Sequence, residues 1–152
     1  MSTMPQKSTT DNDEGVVKSA IKKILEKHGW FHWSPPANKY GAGGISDIGA
    51  VRDRIFMVIE AKKGDRPVPF AENRPTANQI AYLQNIRGNG HWAFIVDGFR
   101  LKHLAGLLES FDRAQAVQLY NATDAGKLAP RKIEDADGAQ MINCIREMQR
   151  EF

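Results

Sequence analysis

Apolar positions along the chain follow the helical period in some stretches and form short continuous runs in others. The first helical stretch, 13–28, predicts an amphipathic helix that ends at Gly29 and carries its lysines on the side opposite to the apolar residues. The apolar side consists of Val17, Ile21, Ile24, Leu25 and His28.

Continuous apolar runs bounded by turn-forming residues predict the strands. We expect a short strand at 30–33, two strands at 46–51 and 55–62 that form a hairpin, and a buried strand within 91–98. Two of these runs are separated only by the polar sequence Arg-Asp-Arg.

Three further segments complete the pattern. Helical spacing predicts helices at 75–90, at 99–111 and from about 136 to 151, and the sequence AVQLY predicts a strand at 116–120. The order α, β, β, β, α, β, α with an additional C-terminal helix indicates an α/β fold, in which helices flank a central mixed sheet.

Composition limits the class of protein. The 152 residues are 41% hydrophobic, which fits one globular domain, and 21 basic against 18 acidic side chains give a net charge of +3 and a pI of about 9.1. This mildly basic balance is compatible with a polyanionic partner. The single cysteine, Cys144, excludes an intramolecular disulfide, and no stretch approaches the roughly 20 apolar residues of a membrane span. We therefore expect no membrane association and a cytoplasmic protein, because the polar start of the chain lacks the apolar centre of a signal peptide.

The hairpin brings charged residues together at one end. Side chains alternate along a strand, so Glu60 and Lys62 point to the same face. An even-numbered loop centred on Asp53 and Arg54 also places Asp47 directly opposite Glu60. An odd loop or a bulge would break this register, and Arg-Asp-Arg lacks the Asn-Gly signal that fixes such turns.

Two carboxylates placed opposite each other need a positive charge between them. Cross-strand Cβ atoms lie only about 5 Å apart, and like charges at that distance repel. Lys62 can supply part of the charge, and paired carboxylates also suit Mg²⁺, which could polarise a phosphodiester and acidify a bound water. The alternative for Glu60 and Lys62 is a simple salt bridge at the rim of the sheet.

Asp47, followed on the next strand by Glu60-Ala61-Lys62 with a helix before and after, resembles the PD-(D/E)XK nuclease superfamily. The segments GISDIGAV, IEAKK and TANQIAYLQNIRGNGHWAFIVD are most similar to its VRR-NUC branch and to the related Holliday-junction resolvases, over about 14–110. Ser46 stands where the family usually has proline, and the insertion 64–75 is longer than in the branch. The resemblance implies a restriction-endonuclease-like fold.

The same resemblance implies a set of site residues. Asp47 and Glu60 would be metal ligands with the backbone carbonyl of Ala61 nearby, and Glu14 would complete the metal site. Lys62 would be the catalytic lysine. The metal would be Mg²⁺, with Mn²⁺ as a substitute.

For Glu14 and for Gln79, the sequence allows both a functional role and a purely structural one. The spacing of Glu14 to Val17 continues the core-facing side of the first helix, although Glu14 could equally close a capping box begun by Asp11. Gln79 corresponds to the active-site glutamine of the family and could equally be a solvated amide. Both alternatives stay open on the sequence alone.

The expected function is metal-dependent endonucleolytic cleavage of DNA, in a bacterial or phage setting. The expected organisation is a tail at 1–13, a nuclease core at 14–111 and an extension at 112–152 packed on the same domain.

The sequence leaves two substrates open: branched DNA, such as a Holliday junction, and DNA with a specific base sequence. The competing class is a non-catalytic nucleic-acid-binding or partner-assembly protein on the same fold. A homodimer is expected, because cutting both strands needs two sites related by a two-fold axis. Candidate DNA contacts are Lys39, Tyr40, Lys63, Arg66 and Arg74.

Overall fold

The computed structural model describes residues 14–35, 47–67, 74–121, 135–150 and 152. Helices and strands follow one another along the chain in the predicted order, with one exception near residue 116. The elements are α1 (Glu14–Lys27), β1 (Phe31–Trp33), β2 (Ile48–Arg52), β3 (Ile55–Ala61), α2 (Ala77–Gly88), β4 (Trp92–Val96), α3 (Leu101–Asn121) and α4 (Asp135–Met148).

The four strands form one mixed sheet in the order β1-β2-β3-β4. Neighbours β1 and β2, and β2 and β3, are antiparallel, whereas β3 and β4 are parallel. The prediction of an α/β fold with a central mixed sheet is therefore confirmed, while the restriction-endonuclease-like assignment stays a prediction.

The β2–β3 hairpin has the even-numbered loop on which the site depends. Arg52 pairs with Ile55, which leaves Asp53 and Arg54 as the turn, and both have positive φ, 49° and 69°. Positive φ at both central residues defines a type I′ turn, whose twist matches that of the flanking strands. Gly49 consequently pairs with Val58, as the sequence predicted.

The sheet separates two apolar layers. One face packs against α1, α3 and α4 and forms the larger core, with Ile21, Met57 and Leu107 fully buried. The opposite face packs against α2 through a smaller cluster of Val58, Leu83, Ala93 and Ile95. Glu60 belongs to this second face by alternation with Val58, so its side chain points towards the layer that contains α2.

The predicted strand at 116–120 is wrong, because α3 continues without a break to Asn121. A helix extends by one internal hydrogen bond per added residue, whereas a strand needs a partner edge. The sequence AVQLY at 116–120 therefore continues α3, although it contains aromatic and β-branched residues. Among the described residues, no helix is both long and apolar enough to cross a membrane.

Candidate active site

Glu60 is the buried centre of the candidate site. It lies near the end of β3, an interior strand, and is only 3% exposed. Its Oε1 accepts a hydrogen bond of 2.8 Å from Nε2 of Gln79, and its Oε2 is buried with no hydrogen-bond partner. A buried carboxylate oxygen without a donor is costly, so this position favours either a proton or a cation.

Asp47 faces Glu60 from the preceding strand. The last hairpin pair is Ile48 with Ile59, so Asp47 stands next in register, opposite Glu60. Its Oδ2 accepts a hydrogen bond of 2.9 Å from the backbone N–H of Ala61, which holds the carboxylate against the end of β3.

The two carboxylates influence each other strongly. Burial first, and the Asp47 carboxylate second, raise the pKa of Glu60 to about 8, while the Lys62 ammonium acts in the opposite direction. At neutral pH the Glu60 carboxyl therefore keeps its proton for most of the time unless additional positive charge arrives. The Asp47–Glu60 pair therefore holds a proton at neutral pH, and a cation placed between the carboxylates would displace it.

Gln79 is held in a fixed orientation by the start of α2. Thr76 is the N-cap, and its side chain accepts from the N–H of Gln79 at 3.1 Å, while Oε1 of Gln79 accepts from the N–H of Thr76 at 2.8 Å. This reciprocal capping box occupies the amide oxygen, so the amide nitrogen is the group that faces Glu60. Gln79, suggested by resemblance alone, thus contacts the central carboxylate.

Lys62 lies beside Glu60 at the end of the sheet. It is 7% exposed, its Nζ is 4.0 Å from Oε1 of Glu60, and its backbone N–H donates to the carbonyl of Val96 at 2.9 Å. The backbone bond extends the pairing of β3 with β4 by one residue. The ammonium is therefore attached to a well-fixed backbone position next to the buried carboxylate.

Lys18 is the site residue that sequence reasoning missed. Its Nζ lies 3.1 Å from Oδ1 of Asp47 and 3.7 Å from Oε1 of Glu14. Burial alone would lower the pKa of Lys18, but the ion pair with Asp47 outweighs it and the pKa is raised. The expectation that the α1 lysines lie opposite to the apolar side is wrong for Lys18. A signal was present, since Glu14 and Lys18 are four residues apart, the spacing at which helical side chains meet.

Glu14 is connected to the carboxylate pair by Lys18, which contacts both Glu14 and Asp47. It starts α1, and its side chain is 42% exposed. Over the described ranges, no group of three or more His, Cys, Asp or Glu side chains is placed to hold a metal ion. The arrangement is thus a two-carboxylate site, Asp47 with Glu60, and Lys18 stands between that site and the third carboxylate.

The remaining predicted residues are more peripheral. The contact seen for Ala61 is made by its N–H, which binds Asp47, whereas the prediction concerned its carbonyl. Lys63, Arg66 and Arg74 are exposed in segments next to the site, and Lys39 and Tyr40 lie outside the described residues.

A buried ion pair supports the segment that follows β3. Arg100 is fully buried, and its Nη1 donates to Oδ2 of Asp97 at 2.8 Å. Its Nη2 donates to the carbonyl of Pro67 at 3.2 Å, and the N–H of Gly98 donates to the carbonyl of Gly64 at 2.6 Å. These hydrogen bonds hold residues 64–67, which follow Lys62. The sequence did not indicate that Arg100 has this structural role.

Comparison of the chain with known protein families and with curated proteins gives no match. The resemblance to the nuclease superfamily therefore rests on the quoted motifs. What the geometry adds is the mutual placement of Asp47, Glu60, Lys62 and Gln79 around one point at the end of β3.

Proposed function

We propose that the protein is a metal-dependent endonuclease that hydrolyses phosphodiester bonds of DNA. The observation that carries this proposal is the Glu60 carboxylate, buried opposite Asp47 with one oxygen lacking a donor. The Asp47 carboxylate faces this buried carboxyl, so the pair has to hold a proton or a cation between its two members, with Lys62 beside them. A buried carboxyl whose pKa is raised by burial and by a second carboxylate is typical of functional sites, and paired carboxylates are ligands that Mg²⁺ uses.

The donor set fits Mg²⁺. Asp47 and Glu60 would hold the ion, and Mg²⁺ commonly uses one or two carboxylates and keeps several waters, so a third protein carboxylate is not required. When bound, the ion would polarise a phosphodiester and lower the pKa of a coordinated water. Mn²⁺, with the same preference for oxygen ligands, is expected to substitute.

The protein side chains have separate roles in this proposal. Gln79 keeps Oε1 of Glu60 occupied, so that Oε2 remains the oxygen directed at the ligand. Lys62, within 4.0 Å of Glu60, would offset the charge of a phosphate oxygen and orient the attacking water. Lys18, whose Nζ is 3.1 Å from Oδ1 of Asp47, would compete with the ion for this carboxylate.

The test is a cleavage panel with Mg²⁺ on linear duplex, flap, four-way junction and single-stranded DNA. The wild type should cleave at least one of these substrates. Asp47→Asn, Glu60→Gln and Lys62→Met should each lower the rate by roughly 100-fold or more. Matched controls are Glu109→Gln and Lys23→Met, which alter an exposed carboxylate and an exposed lysine away from the site. Undiminished cleavage in all three site variants would contradict the proposal.

A second candidate function is non-catalytic nucleic-acid binding. The observation that favours it is Lys18, whose ammonium already neutralises Asp47 at 3.1 Å and takes a place near which a metal would bind. In this case a fixed lysine replaces the ion and the site serves only the fold.

Lys18→Met separates the two candidates by calorimetric titration with Mg²⁺. The endonuclease proposal expects Mg²⁺ to bind more tightly, because a competing cation is removed from Asp47. The binding-protein candidate expects no Mg²⁺ binding in either form, together with DNA binding that ignores the metal.

We further propose that the endonuclease acts as a homodimer, since double-strand cleavage by one type of site needs two copies related by a two-fold axis. Light scattering with and without a four-way junction measures the assembly. A single copy bound to cleaved junctions would contradict it.

A further inference from the structure

An exposed aromatic strip lies on the edge of the sheet. Phe31 is 70% exposed and Trp33 37% exposed, although both are large apolar side chains. They belong to β1, where Phe31 pairs with Val51 and Trp33 pairs with Gly49, so they share the face of Glu60. The helix on this face, α2, packs on β3 and β4, and among the described residues no helix packs on the β1–β2 half of the face.

The rings form a connected series across the strands. Phe31 and Trp33 have centroids 6.1 Å apart, Trp33 and Phe56 are stacked at 6.0 Å with an interplanar angle of 27°, and His91 meets the edge of Phe56 at 5.5 Å. We call Phe31, Trp33, Phe56 and His91 the aromatic strip.

Gly49 is what allows the strip to cross β2. A Cβ at this position would come within 2.5 Å of the Trp33 indole, so the ring lies directly over the glycine backbone. A larger residue would push the indole off the sheet. The absence of a side chain at Gly49 therefore lets the indole of Trp33 lie against the strand.

The strip leads to the candidate active site. Gly49, beneath the Trp33 ring, is two residues from Asp47 along the same strand, a rise of about 7 Å. Neighbouring nucleotides of an extended strand can span such a distance. A base on Trp33 would thus place an adjacent phosphate near the carboxylate pair.

Cations border the strip at both ends. At the hairpin turn Arg54 is exposed two residues from Phe56, and the neighbouring Asp53 pairs with Arg52 at 3.1 Å. At the opposite end lie Lys18 and Lys62, each within 4.0 Å of a carboxylate of the candidate site. Aromatic faces bordered by cations are the arrangement by which proteins bind single strands, with bases on the rings and phosphates on the cations.

We propose that the aromatic strip binds the unpaired bases of single-stranded DNA by stacking and guides that strand to Asp47 and Glu60. The direction towards the site rests on the proposed nuclease function, whereas the binding itself does not. The substrate class follows: DNA that contains an unpaired segment, such as a flap, a frayed junction arm or a single strand. Fully paired duplex hides its bases and cannot stack on the strip.

The experiment is fluorescence anisotropy of a labelled oligothymidine of about 15 nucleotides, in EDTA so that no cleavage occurs. The single strand should bind more tightly than a duplex of equal length. Phe31→Leu and Trp33→Leu, which keep apolar character but remove the ring, should each raise the Kd of the single strand about tenfold. Phe31→Tyr should bind like the wild type, and Ile142→Ala, at a 52% exposed apolar position on α4, is the matched control.

Three outcomes would overturn the inference. One is an unchanged Kd in Phe31→Leu and Trp33→Leu, and another is duplex binding as tight as single-strand binding. The third is a wild-type dimer that dissociates in Phe31→Leu, which would make the strip an interface between copies of the chain. Selective binding without cleavage would remove only the nuclease proposal, and cleavage without ring-dependent binding would remove only this one.

Discussion

Glu60 makes the stability of the fold depend on pH, because its carboxyl is buried and faces a second carboxylate, which together raise its pKa. Below about pH 4.5, its ordinary pKa, folded and unfolded chains both keep the proton. Between pH 4.5 and about 8 only the unfolded chain releases it, so this group favours unfolding increasingly as pH rises. Above pH 8 both states are ionised and the effect becomes constant.

We therefore predict that, in EDTA, the Glu60 contribution lowers the free energy of unfolding by up to roughly 4 kcal/mol between pH 5 and pH 8. Urea denaturation across this range measures it. Glu60→Gln should flatten the pH dependence, whereas Glu109→Gln should leave it as in the wild type. Equal slopes in the wild type and in Glu60→Gln would show that Glu60 titrates normally.

The opposition of Asp47 and Glu60 could be predicted from the sequence, while the role of Lys18 could not. Strand alternation and an even loop determine where the two carboxylates point, because each follows from backbone geometry alone. A lysine has four rotatable side-chain bonds, so its ammonium can reach around the end of a helix face to a neighbouring strand. Its partner, Asp47, is remote in sequence and becomes visible only when α1 is placed beside the hairpin.

The buried Asp97–Arg100 pair follows β4, and Arg100 also donates to the carbonyl of Pro67 in the segment after β3, so the pair connects these two parts of the fold. Side chains of both residues are 2% exposed or less. Burial raises the pKa of Asp97 in spite of the adjacent Arg100, which shows how strongly this position depends on its partner. Removing one member of a buried pair leaves an uncompensated charge.

We predict that Arg100→Met lowers the free energy of unfolding by about 3–5 kcal/mol. Asp97→Asn should also destabilise, by a smaller amount, because a neutral amide still accepts from Arg100. Urea denaturation measures both. Arg113→Met is the control: its pair with Asp137 is half exposed on the arginine side, so it should cost about 1 kcal/mol or less. A similar loss in Arg100→Met and Arg113→Met would contradict the structural role assigned to Arg100.

Elements with strong local patterns were predictable, and those decided by context were not. The β2–β3 hairpin formed as expected although Arg-Asp-Arg is a poor turn sequence, because two alternating strands with matched apolar faces set the register. The end of α3 was missed because strand propensity is weak evidence when a helix is already propagating into the segment. Asp97 and Arg100 look like ordinary turn residues until α4 and the Pro67 segment close over them.

At the level of the whole molecule, metal binding should appear as added stability. Anything that binds only the folded state stabilises it, by about 2.7 kcal/mol when the free ligand is at 100 times its Kd. The proposed site needs ionised Asp47 and Glu60, so Mg²⁺ should raise the Tm, and more at pH 8 than at pH 6. Scanning calorimetry measures this.

Asp47→Asn should lose the Mg²⁺-dependent rise, while Lys23→Met should keep it. A rise of equal size in Asp47→Asn would show that the ion binds elsewhere on the protein. No rise at any pH would favour the non-catalytic candidate.

The position of Glu14 and Lys18 on α1 has a consequence for how the site tolerates motion. The first turns of a helix open at a lower free energy than an interior strand, so local opening at this site would begin at Glu14 and Lys18 and not at Glu60. Their charges are opposite and they sit on one helix face four residues apart. Unwinding of 14–18 would withdraw one anion and one cation together, so the net charge of the region would stay the same, while Asp47 would lose the ammonium 3.1 Å from its Oδ1 and become free to bind another cation.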